Sequence, residues 1–126
     1  MAGGLVDTFS RQTLLLGTIG RNDARECEYQ GTPKYSGFKL TAFRGDELKI
    51  SVSSKGGDAQ AWLLDENFKV VVANDDAKEK TKDSLITFTV PRYSPPASRY
   101  YIVFAEYEFK KSNFSVDIKT NSIFAA

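Results

Sequence analysis

The sequence predicts an all-β fold, an antiparallel β-sandwich or jelly roll of about eight strands. Three observations carry this. Apolar residues alternate with period two in most segments. The alternating runs are short and evenly spaced. Clusters of Gly, Pro, Asp and Asn separate them, and turns favour those residues.

Taken in order, Leu14, Leu15 and Leu16 form a short apolar run ended by Gly17, read as a first strand. From Gly17 to Pro33 the chain is polar and punctuated, which predicts a long connection with room for a short edge strand. SGFKLTAF then places Phe38, Leu40 and Ala42 on one face. A turn at residues 44–47 leads into LKISVSS, where Leu48, Ile50 and Val52 oppose Lys49, Ser51 and Ser53. Gly56 and Gly57 supply a turn, because glycine adopts positive φ without a Cβ clash. AQAWLLD and FKVVVAN, joined at Asp65–Asn67, predict a hairpin. Residues 75–83 read as a solvated loop. LITFTV turns Ile86, Phe88 and Val90 inward, and the three prolines between Pro91 and Ser98 exclude a ladder. RYYIVFAEYEF and NFSVDIKT are the last strands, with Phe104, Phe114, Val116 and Ile118 directed to the core. The whole chain, residues 1–126, reads as one domain.

Composition narrows function by exclusion. There is no histidine, which removes His-based triads, His general bases and His metal sites. The single cysteine, Cys27, allows no intramolecular disulfide and has no histidine to activate it. The 17 basic and 16 acidic residues leave a net charge of +1, so no basic face for nucleic acid is expected. No apolar run approaches the roughly 18 residues of a membrane-spanning helix. The opening residues MAGGLVDTFSRQ lack a basic start followed by an apolar core, so no signal peptide is expected in them. The protein is then either cytoplasmic or part of a larger exported precursor.

Several short motifs follow one another in a familiar order. Tyr35 and Phe38 precede a Gly45-Asp46 turn and the strand LKISV. Asp58-Ala59, LeuLeuAsp-x-Asn (63–67), a Val-rich strand and Asn74-Asp75-Asp76 come next. AspSer-x-Ile-x-Phe (83–88) and Tyr100-Tyr101-Ile102-Val103 complete the series. Over residues 35–119 the chain resembles the bacterial pre-peptidase C-terminal domain, a β-sandwich module found beside secreted protease domains. Residues 1–34 then form an N-terminal strand and a polar connection. The chain departs from that pattern at Ala97-Ser98-Arg99, where Gly-Thr is usual, and in its enlarged Pro-rich loop. The resemblance implies a non-catalytic accessory domain of an exported protein, secreted or periplasmic. Some family members bind matrix proteins or polysaccharides, and some bind calcium at acidic loops.

Two candidate sites arise. Asp58, Asp75, Asp76 and Asp83 fall at strand ends near one end of the expected hairpin. Calcium takes six to eight oxygens, which such loops supply; the alternative is that these residues serve their turns. The second candidate is aromatic. If Tyr100, Ile102 and Phe104 face the core, Tyr101 faces outward, and Tyr107 and Phe109 follow it while the alternation holds. Glu106 would then point inward, against the usual exposure of carboxylates. A bulge near Ala105 would reverse that and bury Tyr107 and Phe109. Trp62 reads as core.

Two function classes result. One is an accessory module binding an extracellular polysaccharide or protein surface. The other is an assembly domain contacting a second copy or a neighbouring domain. Paired carboxylates also occur in glycosidases, but no motif places one of them in an apolar pocket.

Overall fold

The computed structural model describes residues 9–73, 75–76 and 83–122. After one helical turn at residues 9–12 come ten strands. They are β1 (Thr13–Thr18), β2 (Ala24–Tyr29), β3 (Tyr35–Phe43), β4 (Asp46–Lys55), β5 (Ala59–Asp65), β6 (Val70–Ala73), β7 (Asp75–Asp76), β8 (Ser84–Thr89), β9 (Ala97–Glu106) and β10 (Ser112–Ser122). One sheet has the order β1-β3-β9-β5-β6 and the other β2-β10-β4-β8-β7. All pairings are antiparallel except β1 with β3, which is parallel. The fold is the expected β-sandwich. The two strands beyond the expected eight are β2, inside the polar connection, and β7, inside the expected loop.

The sheets face each other through their apolar residues. Leu48, Ile50, Val52, Ile86, Phe114, Val116 and Ile118 meet Phe38, Leu40, Ala61, Leu63, Ile102 and Phe104 in one cluster. Phe104 is its centre, with ring centroids 6.0 Å from Phe38 and 4.9 Å from Phe114. Phe88 is only half-buried at its edge. Each large side chain buried this way stabilises the fold by about 1.5–3 kcal/mol relative to exposure. Asp65↔Tyr100 and Ala59↔Glu106 are partners along β5 and β9, so the turns after Asp65 and after Glu106 lie at opposite ends of the sandwich.

The outer face of the first sheet carries a second apolar layer. Phe9, Leu64, Tyr101 and Val103 are buried there, with Tyr35, Trp62, Phe68 and Val70 packed against them. This corrects the expectation of an exposed Tyr101. Its side chain does point away from the main core, but the Phe68 ring stacks on it at 4.4 Å and an interplanar angle of 11°. Trp62 belongs to this layer, half-buried between Phe9 and Tyr35.

Candidate functional site

The pairing of β9 with β5 runs unbroken from Tyr100 to Glu106, with Tyr100, Ile102 and Phe104 in the main core and Tyr101 and Val103 on the other face. Glu106 is therefore inward and only 4% exposed, contrary to the expectation of a register change at Ala105. The carboxylate is accommodated because backbone donors surround it. Oε1 accepts from the N–H of Glu108 (2.8 Å) and Lys110 (3.0 Å), and Oε2 from that of Asp58 (3.2 Å). Burial pushes its pKa up. The hydrogen bonds from Lys110, Asp58 and Glu108 outweigh that and hold it below the ordinary glutamate value.

These bonds fold residues 106–110 into a tight turn. Phe109 N–H donates to the Glu106 carbonyl at 2.9 Å, and Phe109 adopts φ 61°. The same turn occurs after β5. Asp65 Oδ1 accepts from the N–H of Asn67 (2.8 Å) and Lys69 (3.1 Å), Phe68 N–H donates to the Asp65 carbonyl (3.0 Å), and Phe68 has φ 62°. The two segments share a pattern, an acid followed by two residues, then Phe-Lys: DENFK at 65–69 and EYEFK at 106–110. The acid caps the N–H groups at i+2 and i+4, and Phe takes the left-handed position where glycine is usual. A bulky residue there costs about 1–3 kcal/mol. Ring contacts offset that cost: Phe68 stacks on Tyr101, and Phe109 meets Tyr35 at 6.0 Å and the Lys34 ammonium at 5.4 Å. Phe68→Gly is accordingly expected to be less destabilising than Phe68→Ala, by about 1 kcal/mol in urea unfolding, since only Ala keeps the strain.

Around the Glu106 turn two other segments close the end of the sandwich. Tyr107 N–H donates to the Asp58 carbonyl at 2.7 Å, tying in the β4–β5 turn. Gly57 lies so close that a Cβ there would sit 3.0 Å from Glu106 Cγ. At the end of β2, Tyr29 is fully buried and its hydroxyl donates to the Lys34 carbonyl of the β2–β3 loop at 2.6 Å; burial raises that hydroxyl's pKa to about 12. Gly31, at φ 81°, packs against the Phe109 carbonyl where any Cβ would collide. A shallow cavity of about 240 Å³ remains, lined by Gly56, Gly57, Asp58, Glu106, Tyr107, Glu108, Lys110 and Lys111. Tyr107 stands at its rim, 64% exposed, and Phe109 is exposed at 36%. Of the three aromatic residues singled out from sequence, Tyr107 and Phe109 thus share this tip, and Tyr101 lies under Phe68.

The opposite end has its own anchor. Asp46 is fully buried and receives Arg21 in a two-point contact, Nε to Oδ2 at 2.7 Å and Nη2 to Oδ1 at 2.6 Å. Oδ2 also accepts Phe43 N–H at 2.8 Å, and the Arg21 guanidinium lies 4.7 Å from the Phe43 ring centroid. Tyr93, on the Pro-rich loop nearby, is 92% exposed.

The four aspartates divide. Asp58 lines the tip cavity, whereas Asp83 lines a separate groove with Ser84, Leu85, Ser115 and Asp117. Asp75 and Asp76 pair with Leu85 and Ser84, which puts their backbone beside Asp83. Among the described residues no three Asp, Glu or Cys side chains converge to hold a metal ion. Burial raises the thiol of half-buried Cys27 to about 11, well away from nucleophile chemistry at neutral pH.

Sequence reasoning missed Glu106, Tyr29 and the Arg21–Asp46 pair. The repeated acid-x-x-Phe-Lys pattern could have exposed the first. Nothing local could have joined Arg21 to Asp46 across 25 positions.

The fold is a two-sheet sandwich similar to that of a pre-peptidase C-terminal domain. Such a domain, from a Bacillus anthracis collagenase, is similar with a TM-score of 0.60 at 13% identity, over 85% of this chain and 94% of that one. The Aeromonas hydrophila protein PliG, a periplasmic inhibitor of g-type lysozyme, gives 0.59 at 9% identity, over 86% and 99%. The Yersinia pseudotuberculosis-derived mitogen gives 0.54 at 17% identity, over 76% and 82%. No protein-family model and no curated protein matches the sequence. At these identities the likeness is one of fold.

Proposed function

We propose that this chain is a non-catalytic binding module of an exported bacterial protein, and that it grips a protein surface through the tip around Tyr107. One observation carries the reading: a buried carboxylate fixes three backbone N–H groups and so holds an exposed tyrosine on a rigid turn. A rigid aromatic anchor keeps the ordering cost of binding low. The rim carries both signs, with Lys110 paired to Glu108 at 3.4 Å beside Lys111 and Asp58, and suits a polar partner surface of mixed charge. A protein is favoured over a polysaccharide, because a protein of similar fold inhibits another protein, g-type lysozyme. Export is supported by the motif resemblance and by the periplasmic inhibitor of similar fold. Collagen-like protein and g-type lysozyme are the first probes, because the proteins of similar fold belong to or act on these systems; insoluble cell wall tests the polysaccharide reading.

The experiment is a calorimetric titration of the domain against these three probes, repeated with Tyr107→Ala. Losing a central aromatic anchor typically costs about 2 kcal/mol, an affinity loss of about thirtyfold. Binding of a protein probe that falls by this factor supports the reading. Cell-wall binding alone, or turnover of any probe abolished by changing one carboxylate, contradicts it.

A further inference from the structure

Charge is layered in the tip cavity. Glu108, Lys110 and Lys111 stand exposed at its mouth, and the Lys110 ammonium rests on the Glu108 carboxylate at 3.4 Å. Inward of them lie two carboxylates, Glu106 at 4% exposure and the half-buried Asp58. Among the described residues neither forms an ion pair. A carboxylate offers about four acceptor sites. Glu106 fills two at Oε1 with the N–H groups of Glu108 and Lys110, and one at Oε2 with that of Asp58. One site at Oε2 stays open beside Gly57, whose Cβ position would lie 3.4 Å from that oxygen. The Asp58 carboxylate has no hydrogen-bond partner among the described residues. Gly56 and Gly57 contribute no side chain, and a Cβ at Gly56 would meet nothing within 4 Å. The result is a cavity of about 240 Å³ with open acceptors inside and the Tyr107 ring at its rim.

We propose that this cavity is a socket for an arginine side chain of the partner protein, a proposal that rests on the tip being the binding surface. The guanidinium enters past Tyr107 and lies against its ring. Its N–H groups donate to the Asp58 carboxylate and to the open site of Glu106 Oε2. The aliphatic stem runs along the side-chain-free wall of Gly56 and Gly57. Arginine fits better than lysine, because a planar fork of donors reaches two carboxylates at once and stacks on an aromatic face, whereas an ammonium is a strongly hydrated point charge. It fits better than a neutral side chain, because charge-assisted hydrogen bonds to carboxylates are about twice as strong as neutral ones. Lys110 and Lys111 do not cancel this attraction. They stand in water at the mouth, where salt screens them, and the inner carboxylates are screened much less.

The test is an NMR titration of the isotope-labelled full chain with N-acetyl-arginine methylamide. The citrulline analogue, equal in shape but neutral, is the control. Saturating shifts are expected at the amides of Gly56, Gly57, Asp58 and Tyr107 with the arginine probe and none with citrulline. Asp58→Asn is expected to weaken arginine binding by at least about tenfold, as for loss of a charge-assisted hydrogen bond. The Asp58 side chain has no partner to lose, so the variant should keep the parent melting curve, and Asp58→Ser serves should it not. This arm needs no partner protein and reads the socket alone. In titrations with the protein probes, Asp58→Asn should likewise cost at least about tenfold. Shifts of equal size from citrulline, shifts confined to other residues, or arginine affinity unchanged in both Asp58 variants would overturn the proposal. A protein probe weakened by Tyr107→Ala but not by Asp58→Asn would also overturn it, while leaving the tip as the binding surface. Arginine shifts at the socket with no protein probe bound would support the socket and count against the tip as a surface for those proteins.

Discussion

Arg21→Ala is expected to destabilise the domain by about 3–5 kcal/mol, because it leaves the fully buried Asp46 carboxylate without its counter-charge. Phe43 N–H also donates to that carboxylate, but a single neutral donor does not replace a two-point guanidinium. The loss should exceed that of an exposed pair such as Arg25–Asp23, where both side chains are 42% exposed and water takes over. Adding Asp46→Asn to Arg21→Ala should restore part of the stability. The amide keeps an oxygen for Phe43 N–H and costs less to bury than an unpaired carboxylate. Chemical denaturation of the two single variants and the double variant checks this. A double variant less stable than Arg21→Ala would show that Asp46 acts through something other than its charge.

Glu106→Ala is expected to cost about 3 kcal/mol near neutral pH, since three backbone N–H groups lose a charged acceptor and the adjacent cavity lets water replace only part of it. The effect has a pH signature. The pKa of Glu106 is lower in the folded state, so its contribution is fully present above the unfolded value of about 4.3. It is lost as pH falls through the folded value. The stability gap between parent and Glu106→Ala should therefore be constant from pH 7 to about 5 and shrink below about pH 4. A gap that does not change with pH would mean the side chain acts by packing alone.

Period-two patterning was legible wherever one face is solvated. β4 alternates buried and exposed along nearly its whole length, and the sequence shows the same beat. β2 was foreseen only as room for a short edge strand, because of its six residues only Tyr29 is buried and Cys27 half-buried, too few to fix its bounds. For Tyr101 the alternation identified the right face. What it could not reveal is the cover: Phe9 arrives from the helical turn before β1, and Phe68 reaches back from a left-handed turn. Glu106 set two rules in opposition. Alternation placed it inward and the cost of burying a carboxylate placed it outward. The outcome was decided by backbone donors at Asp58, Glu108 and Lys110, which become available only once the turn has formed. The tip was thus half legible: Tyr107 and Phe109 could be named as candidates, but not the carboxylate beneath them or the Gly31 loop that wedges against Phe109.

The most direct test compares the two ends of the sandwich. Tyr107 and Tyr93 are the most exposed of the described aromatic side chains, at 64% and 92%, and they follow and precede β9 at its opposite ends. Titrating a bound protein probe with Tyr107→Ala and with Tyr93→Ala separates them in one measurement. The expected result is an affinity loss of about thirtyfold for Tyr107→Ala and no change for Tyr93→Ala. Loss with Tyr93→Ala and none with Tyr107→Ala would contradict the account and move the binding surface to the Pro-rich end.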